Sequence, residues 1–423
     1  MARVDRAGRP SVVLGREDAP LMPGDRLSSR HRLRLVLLLG ALIALGPLSI
    51  DMYLPALPAI QAELATTSAA VQSTLTGILL GMALGQLLVG PLSDALGRRT
   101  PLLAGLVLYA ATSALCIVAP NVALLGALRV VQGLSVAVAA VVATAVVRDL
   151  FSGTALARVL SRLLVIPLAA PVLAPSIGGA VLQWTQWRGV FVILAALGVL
   201  LVALVAMGIG ETLPPQRRRP SRVGPMVRSY RALLRDRTFV GLVLVTGLAM
   251  AALIAYVAGS SFVFQAEYGL TEQQFGLTFG AGGIGLIMAS QLNVWLLRRY
   301  PPQRILFCAL LVGAVAGLAM VWSTVTGLGG LAGVLLPLWL MVATIGLTFP
   351  NAPALAMSRH GEMAGTAAAL LGAVQFGLGG LAAPVVGLLG GGKVVMAAVS
   401  AAAMLGATGV MLVTARGGSR RSV

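Results

Sequence analysis

Acid is scarce in this 423-residue chain: 13 Asp and Glu stand against 31 Lys and Arg. Lysine is scarcer still, with Lys393 the single example among thirty arginines. Charged residues make up only 10% of the chain, where a soluble domain carries roughly 25%. That shortage excludes an ordinary soluble fold. Both cysteines, Cys116 and Cys308, fall inside apolar runs, so neither a disulfide framework nor a cysteine metal site is expected. His31 and His360 stand in polar stretches with nothing to pair them for metal binding or catalysis. The apolar runs hold no His-x-x-x-His, carboxylate pair or Ser/His set, so no enzyme and no cofactor or metal is expected. A net charge of +18 would suggest nucleic acid in a soluble chain. The placement of the charge argues otherwise.

What fills the chain is hydrophobic residue, 58% of the total, with a mean hydropathy of +0.94 and 51 glycines. Twelve apolar segments follow one another, at about 35–59, 71–89, 101–119, 122–147, 163–183, 189–209, 239–261, 275–297, 305–323, 331–349, 365–389 and 393–415. Each approaches or exceeds the ~20 residues that cross a bilayer as a helix. Several contain Gly or Pro, which membrane helices tolerate because neighbouring groups satisfy the freed backbone. The expected fold class is an all-α integral membrane protein of twelve transmembrane helices. An even number of spans puts both termini on one side. Apart from Arg129, Arg188 and Lys393, every basic residue lies on that side, while the opposite loops carry Glu63, Glu267 and Glu272. Basic loops stay cytoplasmic, so both termini are expected inside.

The arginine-rich stretch 1–34 reads as a disordered cytoplasmic leader. The apolar run after it is too long for a signal-peptide core and reads as an uncleaved first span. Residues 35–210 and 239–415 then form two six-helix bundles. The basic, proline-containing stretch 211–238 links them in the cytoplasm, and 416–423 is a tail. In two-bundle transporters the substrate sits near the midplane between the halves, which rock about it.

Two places carry chemistry. GPLSDALGRR (Gly90–Arg99) is a tight loop between the second and third spans, placing Asp94, Arg98 and Arg99 at the membrane face, with Gly90 and Gly97 keeping the turn compact. Its plain alternative is a membrane turn anchored by arginines. Asp51 is the one acid well inside a span, and Arg129 the one base. A bare Asp at the bilayer centre costs roughly 2.5–3.5 kcal/mol on insertion scales, so Asp51 needs a partner, a water-filled cavity or a proton. Each stands eight residues from the outer end of its span, about 12 Å at ~1.5 Å per residue, so the two share one level. Asp51 is therefore a candidate proton-binding acid whose affinity depends on its separation from Arg129. A fixed buried ion pair, or an Asp capping a Pro-broken segment between Pro47 and Pro55, is the alternative.

GPLSDALGRR resembles the loop signature of the major facilitator superfamily. LRVVQG (Leu128–Gly133) is similar to the family's Arg-x-x-Gln-Gly element. LAPSIGGA (Leu173–Ala180) is similar to the fifth-span motif of its proton-driven exporters, with Ala174 in place of the usual Gly before Pro175, Gly178 and Gly179. DMYLPALP (51–58), VRDLF (147–151), WRGVF (187–191), GETL (210–213), FPNAPALAM (349–357) and AGTAAALLGAVQF (364–376) look like the Bcr/CflA drug-resistance branch, associated with bicyclomycin and chloramphenicol export. The resemblance covers about residues 35–390.

It implies a major facilitator fold in the bacterial cytoplasmic membrane, working as a monomer by alternating access. The function it implies is proton-coupled efflux of small neutral or amphiphilic antibiotics, with protons, drug and the bilayer as partners and no nucleic acid. It also makes Asp94, Arg98 and Arg99 an inner gate, in which Asp94 binds an arginine and the N-terminus of a neighbouring helix when the cytoplasmic side is closed. A drug cavity needs an apolar wall with a few orienting groups. The candidates are Tyr53, Gln132, Tyr256, Phe262, Gln291, Asn293, Trp339, Gln375 and Phe376. An importer or exporter of a sugar or other metabolite on the same fold is the alternative function; a non-transporting membrane scaffold is the more distant one.

Overall fold

The computed structural model describes residues 28–218, 223–358 and 360–419, and the regular structure among them is entirely helical. The first half contains α1 (Ser29–Asp51), α2 (Leu57–Glu63), α3 (Ser68–Leu96), α4 (Arg99–Ile117), α5 (Val122–Leu150), α6 (Gly153–Leu182) and α7 (Arg188–Gly208). A connecting helix α8 (Val223–Arg235) precedes α9 (Arg237–Phe262), α10 (Glu272–Leu296), α11 (Pro302–Thr326), α12 (Gly330–Met357), α13 (Ala364–Leu388) and α14 (Gly392–Ser419). Among the described residues, eleven helical stretches are long and apolar enough to cross a bilayer, α1 and α2 counting as one; within α6 the apolar part described is Ala169–Leu182.

Helix starts follow local chemistry. Ser28, Thr67, Asn121 and Asp236 each accept a backbone N–H in the first turn of the helix that follows, and Thr271 with Gln274 closes a reciprocal capping box on α10. Pro55 breaks the first span, because it has no N–H to donate and its ring clashes with the preceding turn. α1 stops at Asp51, one 3₁₀ turn covers Leu54–Ala56, and α2 resumes.

The helices sort into two bundles. In the first, α3 packs on α5, α4 on α5 and α7, and α1 on α5 and α6; in the second, α9 packs on α13 and α14, α11 on α12 and α14, and α10 on α12. The bundles meet along two pairs, α3 with α13 and α6 with α10. We call the end bearing the arginine-rich loops the basic end and the other the far end.

Several expected boundaries move. Residues 1–27 of the expected leader lie outside the described residues, while Ser29–Arg34 are already helical. The stretch read as a linker contains the helix α8. GPLSDALGRR is not a ten-residue loop, since α3 continues through Pro91 to Leu96 and only Gly97 and Arg98 separate it from α4. Hydropathy marks where a helix leaves lipid, not where it stops. α3, α5 and α12 all run past the apolar ends read from the sequence, towards the basic end.

Candidate functional site

The break in the first span organises the middle of the molecule. Arg129 on α5 is fully buried and donates from Nη2 to the Ser49 carbonyl at the end of α1, at 2.8 Å. Its Nη1 donates to Gln132 Oε1 at 2.6 Å, Gln132 Nε2 donates to Ser113 Oγ at 2.7 Å, and the Ser49 and Tyr109 hydroxyls meet at 2.7 Å. The guanidinium also lies over the Tyr53 ring, 4.6 Å from its centre. Carbonyl, amide and ring faces thus compensate this cation.

Asp51 is also buried, at 7% exposure. The shared level of Asp51 and Arg129 does not make them partners: among the described residues neither belongs to an ion pair. Tyr256 of the second bundle is buried and stacks on Phe279, with ring centres 5.2 Å apart. The 3₁₀ turn just after Asp51 packs on α9 and α10 of the second bundle, so the acid stands where the bundles meet.

At the far end, backbone carbonyls of the broken stretch stitch the bundles together, that of Leu54 being left without its α-helical donor because Pro58 has no N–H to offer it. Ser261 Oγ donates to the Leu54 carbonyl at 2.7 Å and Gln265 Nε2 to the Pro55 carbonyl at 3.1 Å. Gln72 Nε2 donates to Ala258 O at 3.1 Å. The α6 motif lies in the same seam, with Ala174 and Pro175 buried. A Cβ on Gly178 would overlap the Met52 carbonyl oxygen, one on Gly179 would come within 2.6 Å of Glu272 O, and one on Gly276 within 2.7 Å of Pro175 O. Small residues here let α6 approach both the break and α10.

At the basic end, a cavity of about 650 Å³ opens between the bundles. Gln86, Gly90, Asp94, Arg98 and Asp149 line one wall, and Tyr230, Glu362, Met363 and Thr366 the other. Arg98 is the hub of the first wall. It donates to Asp94 Oδ1 at 2.6 Å, Ser93 Oγ at 2.8 Å and Asp149 Oδ2 at 2.9 Å. The N-terminus of α4 is held by Glu211: its carboxylate accepts the backbone N–H of Arg98 at 2.8 Å and of Arg99 at 3.4 Å. Burial works against the charge of Glu211, but these amides, that of Leu213 and the Arg218 guanidinium outweigh it and hold the carboxyl below the usual glutamate value. Gly97 has φ +93°, and a Cβ there would overlap Glu211. Arg99 donates to the Ala206 carbonyl at 2.8 Å, tying α4 to the end of α7. By contrast, a Cβ on Gly90 would meet open space.

Sequence reading passed over Asp149 and Glu211, although both sit in the quoted strings VRDLF and GETL. The nine cavity candidates scatter. Tyr53 donates or accepts with Thr74 at 2.9 Å, Gln132 serves Arg129, and Asn293 accepts from Asn351 at 2.6 Å, so these three knit helices within their own bundles. Gln291 is exposed; Phe262, Trp339, Gln375 and Phe376 are half-buried. The Trp339 indole N–H is buried without a hydrogen-bond partner, beside Gly282.

Two bundles, joined at one end and parted by a cavity at the other, define a membrane transporter. The Major Facilitator Superfamily model matches residues 37–384, and the chain belongs to that superfamily. It is 38% identical to an uncharacterized MFS-type transporter, YdgK, of Bacillus subtilis (strain 168), over 85% of this chain and 90% of that one. It is 33% identical to a bicyclomycin resistance protein homolog of Haemophilus influenzae, over 82% and 87%. Among solved structures, a bacterial homolog of the human lysosomal transporter Spinster superposes with a TM-score of 0.75 at 15% identity, over 92% of this chain and 98% of that one. The protein is thus a multi-pass transporter of the cytoplasmic membrane, related to drug-resistance proteins.

Proposed function

We propose that this protein exports small neutral or amphiphilic antibiotics, of the chloramphenicol or bicyclomycin kind, in exchange for protons. The observation that carries this reading is Asp51, a buried carboxylate without an ion-pair partner among the described residues, at the junction of the bundles. A charge there is costly, and binding a proton removes the cost. Drug and proton then compete for one place: drug entering from the basic end displaces the proton, and reprotonation from the far end expels the drug. Arg129 is a positioning residue in this scheme, fixing the end of α1 that presents Asp51.

With twelve spans and cytoplasmic termini, the arrangement corresponds to the inward-facing state. Outward opening requires the seam at Leu54, Pro55 and Gly179 to part and the basic-end cavity to close. Asp94 and Arg98 would then meet the first turn of α13, which forms the far wall. Proteoliposomes with an imposed pH gradient and labelled chloramphenicol or bicyclomycin test the function. Gradient-driven export that is lost in Asp51→Asn, with the variant still folded, is the expected result. Export by Asp51→Asn equal to that of the parent protein would reject the assignment, and transport indifferent to the gradient would reject proton coupling.

A further inference from the structure

A second cavity, about 400 Å³, lies away from the seam, between α10, α11 and α12. Its walls are Leu292, Leu296, Val312, Leu340 and Leu347, with the Cys308 thiol exposed on its side. Leu292, Val312 and Leu340 are themselves 48%, 43% and 50% exposed, so the groove faces outward from the bundle. From Arg304 at its mouth to Val312 is eight residues of α11, or about 12 Å. That nearly spans one leaflet of a hydrocarbon core ~30 Å thick. The shape suits one acyl chain.

The mouth has a definite charge. Arg298, Arg299 and Arg304 cluster between α10 and α11, and among the described residues none of the three forms an ion pair. Arg299 stacks on the exposed Trp295 ring, 5.0 Å from its centre, and Tyr300 closes the mouth beside Arg304. The acids nearest in sequence at this end are engaged elsewhere: Asp236 holds His360 at 3.0 Å, and Glu362 faces the cavity between the bundles. An apolar trough one leaflet deep, capped by uncompensated arginines and interfacial aromatics, matches an anionic amphiphile.

We infer that this groove binds an anionic phospholipid of the leaflet at the basic end, with one acyl chain along α11 and the phosphate at Arg298, Arg299 and Arg304. The inference rests on the fold and on this end lying at a membrane surface, and is independent of what is transported. A lipid held here ties α10, α11 and α12 together within the second bundle and leaves the seam free to open.

Native mass spectrometry of the full chain in detergent, titrated with phosphatidylglycerol or phosphatidylcholine, tests it. Each arginine near an anionic headgroup is worth about a fivefold gain in affinity. Retention of phosphatidylglycerol should exceed that of phosphatidylcholine at least about twentyfold, and the Arg298→Gln/Arg299→Gln/Arg304→Gln variant should lose the preference. Cys308→Trp, which fills the trough, should weaken retention of both lipids. Removing two exposed charges from α8, by Arg228→Gln/Arg231→Gln, should change neither. Cys116 is buried, so alkylation by N-ethylmaleimide reports on Cys308; phosphatidylglycerol should slow it at least about fivefold and phosphatidylcholine should not. Equal retention of the two lipids, equal loss in the α8 variant, or unprotected Cys308 would each overturn the inference.

Discussion

The two ends of this transporter are held by different chemistry. At the far end the bundles grip one another through backbone: the Leu54 and Pro55 carbonyls accept from Ser261 and Gln265, and Gly179 and Gly276 bring α6 against α10. At the basic end, side-chain charge does the holding, and it acts inside the first bundle. Arg98 joins Asp94 on α3 to Asp149 on α5, and Glu211 after α7 caps α4. On the proposed exchange mechanism, the contrast lets the first bundle stay rigid while the contact between bundles breaks. A few neutral hydrogen bonds, each worth about 0.5–1.5 kcal/mol net, open reversibly. A charged hub that crosses no moving boundary can stay closed throughout.

The largest effect is expected where the seam has no room. Gly179→Val places side-chain atoms against the Glu272 carbonyl of the second bundle, and backbone cannot swing aside as a side chain can. Overpacking of this kind costs about 1–3 kcal/mol, enough to bias the far end open. Spin labels at Gln186 and Ala266 should move apart and transport should fall at least about tenfold; unchanged distances with normal transport would show that the seam is not the closing element. Next comes Arg98→Gln, which removes the hub from two carboxylates. Charge-assisted bonds are worth roughly 1.5–3 kcal/mol, so thermal unfolding should come several degrees earlier, while the far-end distances stay put. If those distances shift instead, the two ends are coupled and the contrast fails.

Ser261→Ala with Gln265→Ala should act in the opposite sense to Arg98→Gln. We expect little change in melting temperature and a shift of about five- to 150-fold towards the far-end-open state, from two lost bonds at about 0.5–1.5 kcal/mol each. Label distances and melting curves on one sample separate the two. The smallest effect is a pH dependence. The Glu211 carboxyl is held below its ordinary value in the folded protein, so its contribution is present above the unfolded value and fades as pH falls through the folded one. Glu211→Gln should flatten the acid side of the stability curve slightly; an unchanged acid limb would remove Glu211 from the basic-end cluster.

The sequence revealed the spans because lipid imposes a length and a composition on every helix that crosses it. It could not reveal where α3 stops, because nothing apolar is needed once Pro91, Ser93 and Asp94 leave the hydrocarbon. Asp51, Arg129, Arg98 and Gly97 were legible as singular residues, rare in their surroundings. Their partners were not. Asp149 and Glu211 stand 51 and 113 residues from Arg98, and no local spacing announces contacts that the tertiary fold creates. The equal depth of Asp51 and Arg129 left a fixed ion pair open as the alternative to a proton site, and Arg129 instead donates to the Ser49 carbonyl beside the break. A helix-level argument fixes height along the membrane normal and says nothing about the angle at which a side chain faces.

Proton release upon drug binding tests the central claim most directly. The purified protein in weakly buffered solution would be mixed with chloramphenicol or bicyclomycin while the pH is recorded. Competition at Asp51 predicts acidification by the parent protein and none by Asp51→Asn that still binds the drug. Drug binding without proton release, or equal release by the variant, would contradict an exchange of drug for proton at this carboxylate.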